Sequence, residues 1–137
     1  MIAFHSEGID IKTLNLKRVS DWLSQTIRKE QKEIGNLNFV FSSDEYLLSM
    51  NQEYLNHDTY TDVITFNYVE NNLISGDIFI SAERVKENAL LYSSNFTDEL
   101  HRVIVHGVLH LIGYNDKTDR EAQEIRAKED FYLTLRP

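Results

Sequence analysis

Apolar residues recur along the chain with two different spacings. A spacing of three or four positions, typical of amphipathic helices, is found in residues 16–27, 44–54, 82–92, 98–112 and 119–132. Alternation or clustering of β-branched and aromatic residues, typical of strands, is found in residues 2–11 (weakly), 37–41, 63–69 and 76–80. Because helices and strands are mixed, the pattern predicts an α+β fold: a mixed sheet of about four strands with helices packed on it.

Residues suited to helix ends stand at the limits of the helical segments. Asn, Ser and Thr side chains can accept hydrogen bonds from the free backbone N–H groups of a first turn. The predicted caps are Asn15, a capping box at Ser42–Glu45, Ser81, Thr97 and a capping box at Thr118–Glu121. Glycine often follows the last turn, so we expect Gly35 to end the first helix and Gly113 to end the fourth.

Length and composition are those of an ordinary globular domain. The chain has 137 residues, 42% hydrophobic and 26% charged, which predicts a single domain over 1–137. There is no cysteine, which excludes disulfides and thiolate metal ligands. No apolar run suggests a membrane span and the first residues do not resemble a secretory signal, so we expect a cytoplasmic protein. The net charge of −8 argues against indiscriminate binding to phosphate backbones.

The strongest chemical signal lies in residues 106–116. His106 and His110 are four positions apart on a predicted helix, so their imidazoles project from the same face. Gly113 ends that helix, and Asp116 can then turn back towards the two rings. Two imidazoles and one carboxylate form a catalytic zinc set that leaves a position open for water. We therefore predict that these three residues hold one Zn²⁺ per chain.

A histidine pair alone is weak support for a metal site. Two histidines one helical turn apart are more often hydrogen-bonded core or surface residues. The Asp116 carboxylate beyond the helix end strengthens the case for a metal site. A metal site is then as well supported as a purely structural role for the two histidines. Zinc proteases of the zincin class carry glutamate directly after the first histidine as general base, and here that position is Gly107. The sequence therefore argues against a protease of that class.

Residues 106–114 resemble the signature of the YbeY-type endoribonucleases, His-Gly-x-Leu-His-Leu-x-Gly-Tyr-Asp-His. Asn115 stands for the aspartate of that signature and Asp116 for its third histidine. Carboxylate is an acceptable zinc ligand in place of imidazole. The resemblance implies the ligand role for His106 and His110 directly, and for Asp116 by substitution.

A second block, residues 50–66 followed by Gly76-Asp77-Ile78, is also similar to that family, so the resemblance covers nearly the whole chain. Leu55 and Tyr60 replace the arginine and the proline of the family pattern. The arginine is thought to hold RNA phosphate or to stabilise developing charge, which requires a cation. Either another cation substitutes, with Arg84, Lys86 and Arg102 as candidates, or this branch of the family acts differently. Each of the three is more often a solvated surface charge.

The resemblance implies a single-strand-specific, metal-dependent endoribonuclease that acts in 16S rRNA 3′ end maturation, rRNA processing and ribosome quality control. In this interpretation a metal-bound water attacks a phosphodiester. The implied partners are rRNA as substrate, the small ribosomal subunit and its associated GTPases, with no DNA and no membrane. Asp62 and Asp77 are candidates for a base or for a residue that orients a ligand, although turn and strand-end hydrogen bonding is the commoner role of such residues.

Two other functions remain open on the sequence. One is a metal-dependent hydrolase of another specificity, which the acidic composition and Leu55 favour slightly. The other is a ribosome assembly factor without catalytic activity, in which the metal is structural. His57 is more simply a surface histidine than a substrate contact. His101 lies about 140° around the predicted helix from His106, so we exclude it as a co-ligand.

Overall fold

The computed structural model describes residues 1–8, 11, 14–54 and 61–137. In chain order, its strands and helices are β1 (Ile2–Ser6), α1 (Leu16–Lys29), β2 (Glu33–Ser42), α2 (Asp44–Tyr54), β3 (Val63–Asn67), β4 (Leu73–Ser81), α3 (Ala82–Leu91), α4 (Phe96–Ile112) and α5 (Asp119–Leu133). None of these helices is long and apolar enough to cross a bilayer. The predicted α+β architecture is confirmed.

The strands form one mixed sheet in the order β1-β2-β4-β3. β1, β2 and β4 are parallel neighbours, whereas β3 pairs with β4 in antiparallel orientation. β3 and β4 are joined by a tight turn in which Asn71 adopts a φ of 55°, a conformation that asparagine tolerates well. The parallel neighbours are instead linked by longer connections that contain helices, as parallel pairing requires.

Helix α4 packs on the face of the sheet formed by alternate residues of β4. Ile74, Ile78 and Ile80 are fully buried on this face. Gly107 brings the helix backbone close to the strand, because a Cβ at this position would lie 3.0 Å from Ile78 Cγ2. The opposite face of the sheet carries α2 and a smaller core of Leu47, Met50 and Ile64, with Phe66 and Phe79 beside it. The sheet thus separates the core beneath α4 from the smaller core beneath α2.

Most predicted helix ends are confirmed. Asn15, Ser81 and Thr118 cap α1, α3 and α5, and Thr118 forms the complete capping box with Glu121. Gly113 follows α4 with a φ of 129°, a conformation that favours glycine.

Other predicted boundaries are wrong, each for a local reason. α1 ends at Lys29, and Gly35 lies in β2, where a Cβ would come within 2.0 Å of Ser75 Oγ. α4 is capped by Asn95, not Thr97, and the Asn95 side chain accepts a hydrogen bond from the Asp98 N–H at 2.8 Å. At α2 the hydroxyl that accepts from the first turn is that of Ser43. β1 ends at Ser6, short of residue 11.

Gly76 should be intolerant of any side chain. A Cβ there would lie 2.5 Å from the Phe66 carbonyl oxygen and 3.0 Å from Leu111 Cδ1, so β3 or α4 would have to move. We expect Gly76→Ala to lower the free energy of unfolding by about 2–3 kcal/mol, measured by urea denaturation.

Gly8→Ala is the matched control, because Gly8 has a φ of 69° but nothing within 4 Å of the added Cβ. It should cost only the left-handed backbone energy, about 1–2 kcal/mol. A Gly76→Ala protein as stable as the Gly8→Ala protein would contradict this account of the packing.

Candidate metal centre

The last two turns of α4 place two imidazoles side by side. The rings of His106 and His110 lie 4.4 Å apart at an interplanar angle of 87°, with their Nε2 atoms 2.9 Å apart. After Gly113 the chain turns back and brings Asp116 to the same point. Asp116 Oδ2 lies 3.5 Å from His106 Nε2 and 3.3 Å from His110 Nε2. The three predicted ligands therefore converge.

Hydrogen bonds at the other ring nitrogens determine the tautomers of both histidines. His106 Nδ1 lies 2.6 Å from Glu129 Oε2, and His110 Nδ1 lies 3.0 Å from the Tyr114 carbonyl oxygen. An ionised carboxylate and a carbonyl can only accept, so both Nδ1 atoms carry the proton and donate it. Each Nε2 is left with a lone pair, and both lone pairs face the Asp116 carboxylate.

This donor set fits a divalent cation. Two lone pairs and a carboxylate oxygen repel one another unless a positive charge, a proton or a metal ion, lies between them. Ligands placed about 2.0–2.2 Å from a tetrahedral zinc lie roughly 3.3–3.6 Å from each other. The distances of 3.5 and 3.3 Å from Asp116 Oδ2 to the two Nε2 atoms fall in that range, and the 2.9 Å between the Nε2 atoms is shorter. The group His106, His110 and Asp116 can therefore hold a metal ion.

Glu129 on α5 supports His106 from behind and is itself held by Arg102. The Glu129 side chain is only 5% exposed, and Arg102 Nη1 donates to its Oε1 at 2.9 Å. Burial raises the pKa of Glu129, but the hydrogen bonds from His106 and Arg102 outweigh burial and lower it. Burial likewise lowers the pKa of His106, but Glu129, Asp116 and Asp62 together raise it. Glu129 is therefore ionised at neutral pH and keeps the proton on His106 Nδ1.

Glu30 at the end of α1 supports His110 less directly. The Tyr114 hydroxyl donates to Glu30 Oε1 at 2.6 Å, and the Tyr132 hydroxyl and Lys128 Nζ bind the other carboxylate oxygen. Tyr114 also provides the carbonyl that accepts from His110. Burial raises the pKa of Glu30, but the hydrogen bonds from the two tyrosine hydroxyls and the interaction with Lys128 outweigh burial. The pKa of Glu30 is therefore lowered. Glu30 is thus a single charged group at the end of α1 that binds both α5 and the loop that follows α4.

Two cavities flank His106. The inner cavity, of about 170 Å³, is lined by Asp62, Asn88, Arg102, His106 and Arg126 among others. The outer cavity, of about 410 Å³, is lined by His106, Asp116, Gln123, Arg126 and Glu129 among others. Both cavities open beside His106, so they give access to the three converging side chains from either side of this ring.

The candidate residues Asp62 and Arg102 lie close to this group. Asp62 precedes β3, accepts a hydrogen bond from Asn88 at 3.3 Å and shares the inner cavity with His106. Burial raises the pKa of Asp62, and the electrostatic interaction with His106 only partly offsets that effect. Arg102 is engaged on both sides, by Glu129 and by Asp130 at 2.7 Å.

The candidates Asp77 and Arg84 lie elsewhere. Asp77 points to the α2 face of the sheet, where Asn38 donates to it at 3.1 Å and a groove with Phe79 and Tyr46 begins. Arg84 binds Asp44 at 2.7 Å at the start of α2. Neither lines the cavities beside His106.

Some predicted residues cannot be placed, and others were missed. Leu55, His57 and Tyr60 lie outside the described residues. Lys86 is exposed on α3. His101 faces Trp22 and Arg136, away from the metal-binding donors, in agreement with its exclusion as a ligand.

Glu129 and Arg126 were not among the residues predicted from the sequence. A signal for Glu129 was present, because it falls between Ile125 and Tyr132 on the buried stripe of α5. No comparable signal marked Arg126, since an arginine on an exposed helix face is ordinary.

Fold and site together define a small α+β protein with a three-donor group that can hold a metal ion. A model of the family Endoribonuclease YbeY matches residues 1–135. The chain is 50% identical to the Endoribonuclease YbeY of Cytophaga hutchinsonii over 136 residues, 98% of this chain and 95% of the relative. It is 42% identical to that of Parabacteroides distasonis, over 99% of this chain and 96% of the relative.

Among solved structures, TM1509 from Thermotoga maritima is similar, with a TM-score of 0.70 and 30% identity. The match covers 97% of this chain and 87% of the other. This chain belongs to the Endoribonuclease YbeY family.

Removing the charge of Glu129 should weaken metal binding. In Glu129→Gln the group behind His106 Nδ1 is a neutral, weaker acceptor, so we expect zinc affinity to fall about 10- to 100-fold. The measurement is competition with a chromophoric chelator at neutral pH. Asp130→Asn is the control, because Asp130 binds the same arginine but is 61% exposed and does not touch His106. Equal losses in the two variants would contradict the role of Glu129.

Glu30 should stabilise the fold in a pH-dependent way. Its folded pKa lies below the usual 4.5, so its contribution is present above that value and is lost as the pH falls through the folded pKa. We expect Glu30→Gln to be less stable than the wild type at about pH 7, with the difference shrinking by about pH 3.5. Urea denaturation across this range measures it. Glu33→Gln, at an exposed position, should show no such trend. A pH-independent difference for Glu30→Gln would contradict the prediction.

Proposed function

We propose that this chain is a metal-dependent endoribonuclease specific for single-stranded RNA, with residues 1–137 forming one metallohydrolase domain. The observation that carries the proposal is the convergence of His106, His110 and Asp116 in a member of an endoribonuclease family. The proposed ion is Zn²⁺, one per chain, because two imidazoles and a carboxylate suit it. When bound, it lowers the pKa of a coordinated water towards about 7 and polarises a phosphate oxygen.

The residues around the ion have separate tasks in this proposal. Glu129 and the Tyr114 carbonyl hold the histidines in the tautomer that binds metal. Arg102 keeps Glu129 charged and in place. Asp62 is our candidate for the group that accepts or returns a proton, because it is half-buried beside His106 and its pKa is raised. Asp77 and Arg84 are less suitable, since they lie away from the cavities.

The biological substrate that we propose is ribosomal RNA. By family membership the activity would serve 16S rRNA 3′ end maturation, rRNA processing and ribosome quality control. Such work would take place in the cytoplasm, on the small ribosomal subunit and with its associated GTPases. DNA and membranes are not expected targets. The net charge of −8 disfavours sequence-independent binding to any long polyanion, so in this proposal the RNA is held by local contacts beside the ion.

His110→Ala should abolish both metal retention and RNA cleavage. The change removes one of three ligands, so we expect zinc to be lost at micromolar chelator and cleavage of a labelled single-stranded RNA to fall roughly 100-fold or more. His5→Ala is the control, because His5 is an exposed histidine on β1. Cleavage that persists in metal-free His110→Ala protein would contradict the proposal.

The same assay separates the rival functions. A hydrolase of another specificity would cleave a casein-type substrate better than RNA, with equal sensitivity to chelator. An assembly factor with a structural metal would lose thermal stability on chelation but would not cleave RNA under any condition.

A further inference from the structure

Arg126 lies on the face of α5 that looks towards the metal-binding donors. Ala122, Ile125, Arg126 and Glu129 recur at helical spacing on this face and line the outer cavity together with His106 and Asp116. Arg126 also lines the inner cavity, beside Asp62. It is therefore the arginine that borders both spaces next to His106.

Arg102, the other arginine or lysine that lines these two cavities, is already engaged, and so are Lys128 and Arg84. Arg102 binds Glu129 and Asp130, and Lys128 binds Glu30. Arg84 binds Asp44 and Glu87. Within the described part of the chain, the structure gives Arg126 no hydrogen bond and no ion pair, and its side chain is exposed to solvent. A guanidinium left free at the rim of a cavity is available to a ligand.

The chemistry of the two cavities indicates what that ligand carries. A phosphodiester bound at the ion would extend past His106 along one of these cavities, and its neighbouring phosphates need a cation. Guanidinium matches phosphate with two parallel hydrogen bonds, which lysine cannot do. In the outer cavity the two carboxylates beside Arg126, those of Asp116 and Glu129, are turned towards the histidines.

We propose that Arg126 binds a phosphate of the RNA substrate beside the metal site and takes over the task for which the cations Arg84, Lys86 and Arg102 were considered. The inference rests on the proposed function. Arg126 would touch the substrate itself, whereas Arg102 acts through Glu129. Since Arg126 makes no hydrogen bond and no ion pair within the described residues, its removal should leave the fold and the metal site intact.

The test compares Arg126→Gln and Arg126→Lys with Arg120→Gln. Arg120 is an exposed arginine on the same helix that lines neither cavity, so the control removes the same charge. The probe is a labelled single-stranded RNA of defined sequence, with zinc-loaded protein. We expect Arg126→Gln to lower kcat/KM roughly 10- to 100-fold and Arg126→Lys to lower it less. Arg120→Gln should stay close to the wild type.

A second readout does not depend on catalysis. RNA affinity is measured by fluorescence anisotropy with chelated, metal-free protein at several salt concentrations. Loss of one phosphate contact should lower the slope of log affinity against log salt by about 0.7 for a single strand. Zinc affinity and melting temperature should be unchanged in Arg126→Gln.

The possible failures are distinguishable. If the wild type cleaves RNA and Arg126→Gln cleaves and binds it equally well, the assignment of Arg126 is overturned and the proposed function stands. An equal loss in Arg120→Gln would mean that only net charge matters, which also overturns the assignment. If the wild type neither cleaves nor binds RNA, the proposed function and the assignment fail together.

Discussion

Helix α4 lies directly against strand β4 because Gly107 has no side chain to hold the two backbones apart. The contact determines how the helix is rotated, since Val108 and Leu111 are buried on one side and the histidines are left on another. A rotation of the helix would expose part of the core. The positions of His106 and His110 therefore depend on packing, and they are as rigid as the core beneath them.

The two histidines of the candidate metal centre are kept in place by residues from distant parts of the chain. Glu129 comes from α5, and Glu30 acts from the end of α1 through Tyr114. Both carboxylates are ionised and each has a basic partner, so little uncompensated charge is buried. The hydrogen bonds that they support fix which ring nitrogen keeps its proton, and only that tautomer presents lone pairs to a cation.

An acidic protein and a polyanionic substrate are compatible when charge is distributed unevenly. At physiological salt the field of an exposed charge extends only about 8–10 Å, so residues at the rim of a cleft matter more than the total of −8. Arg102 and Arg126 both lie beside His106. The Arg102 guanidinium is bound by Glu129 and Asp130, whereas the Arg126 side chain faces solvent. Of the two, Arg126 is therefore the one open to a ligand from outside the protein.

Much of this protein could be predicted from its sequence, because the relevant interactions are local. The helix caps at Asn15, Ser81 and Thr118 depend on atoms within one turn, and the pairing of His106 with His110 depends only on helical spacing. The turn at Gly113 needs one residue with a positive φ.

The tertiary structure decided everything that requires segments far apart in the chain to meet. Gly35 has the same local character as a glycine that ends a helix, but its contact with Ser75 places it in a strand. Asp62 and Asp77 are equivalent in sequence terms, and only the sheet puts one beside His106 and the other on the opposite face. Glu129 is separated from His106 by 23 residues, and their hydrogen bond exists because α5 packs on α4. Local periodicity carries no information about such contacts, since they depend on how the core is filled.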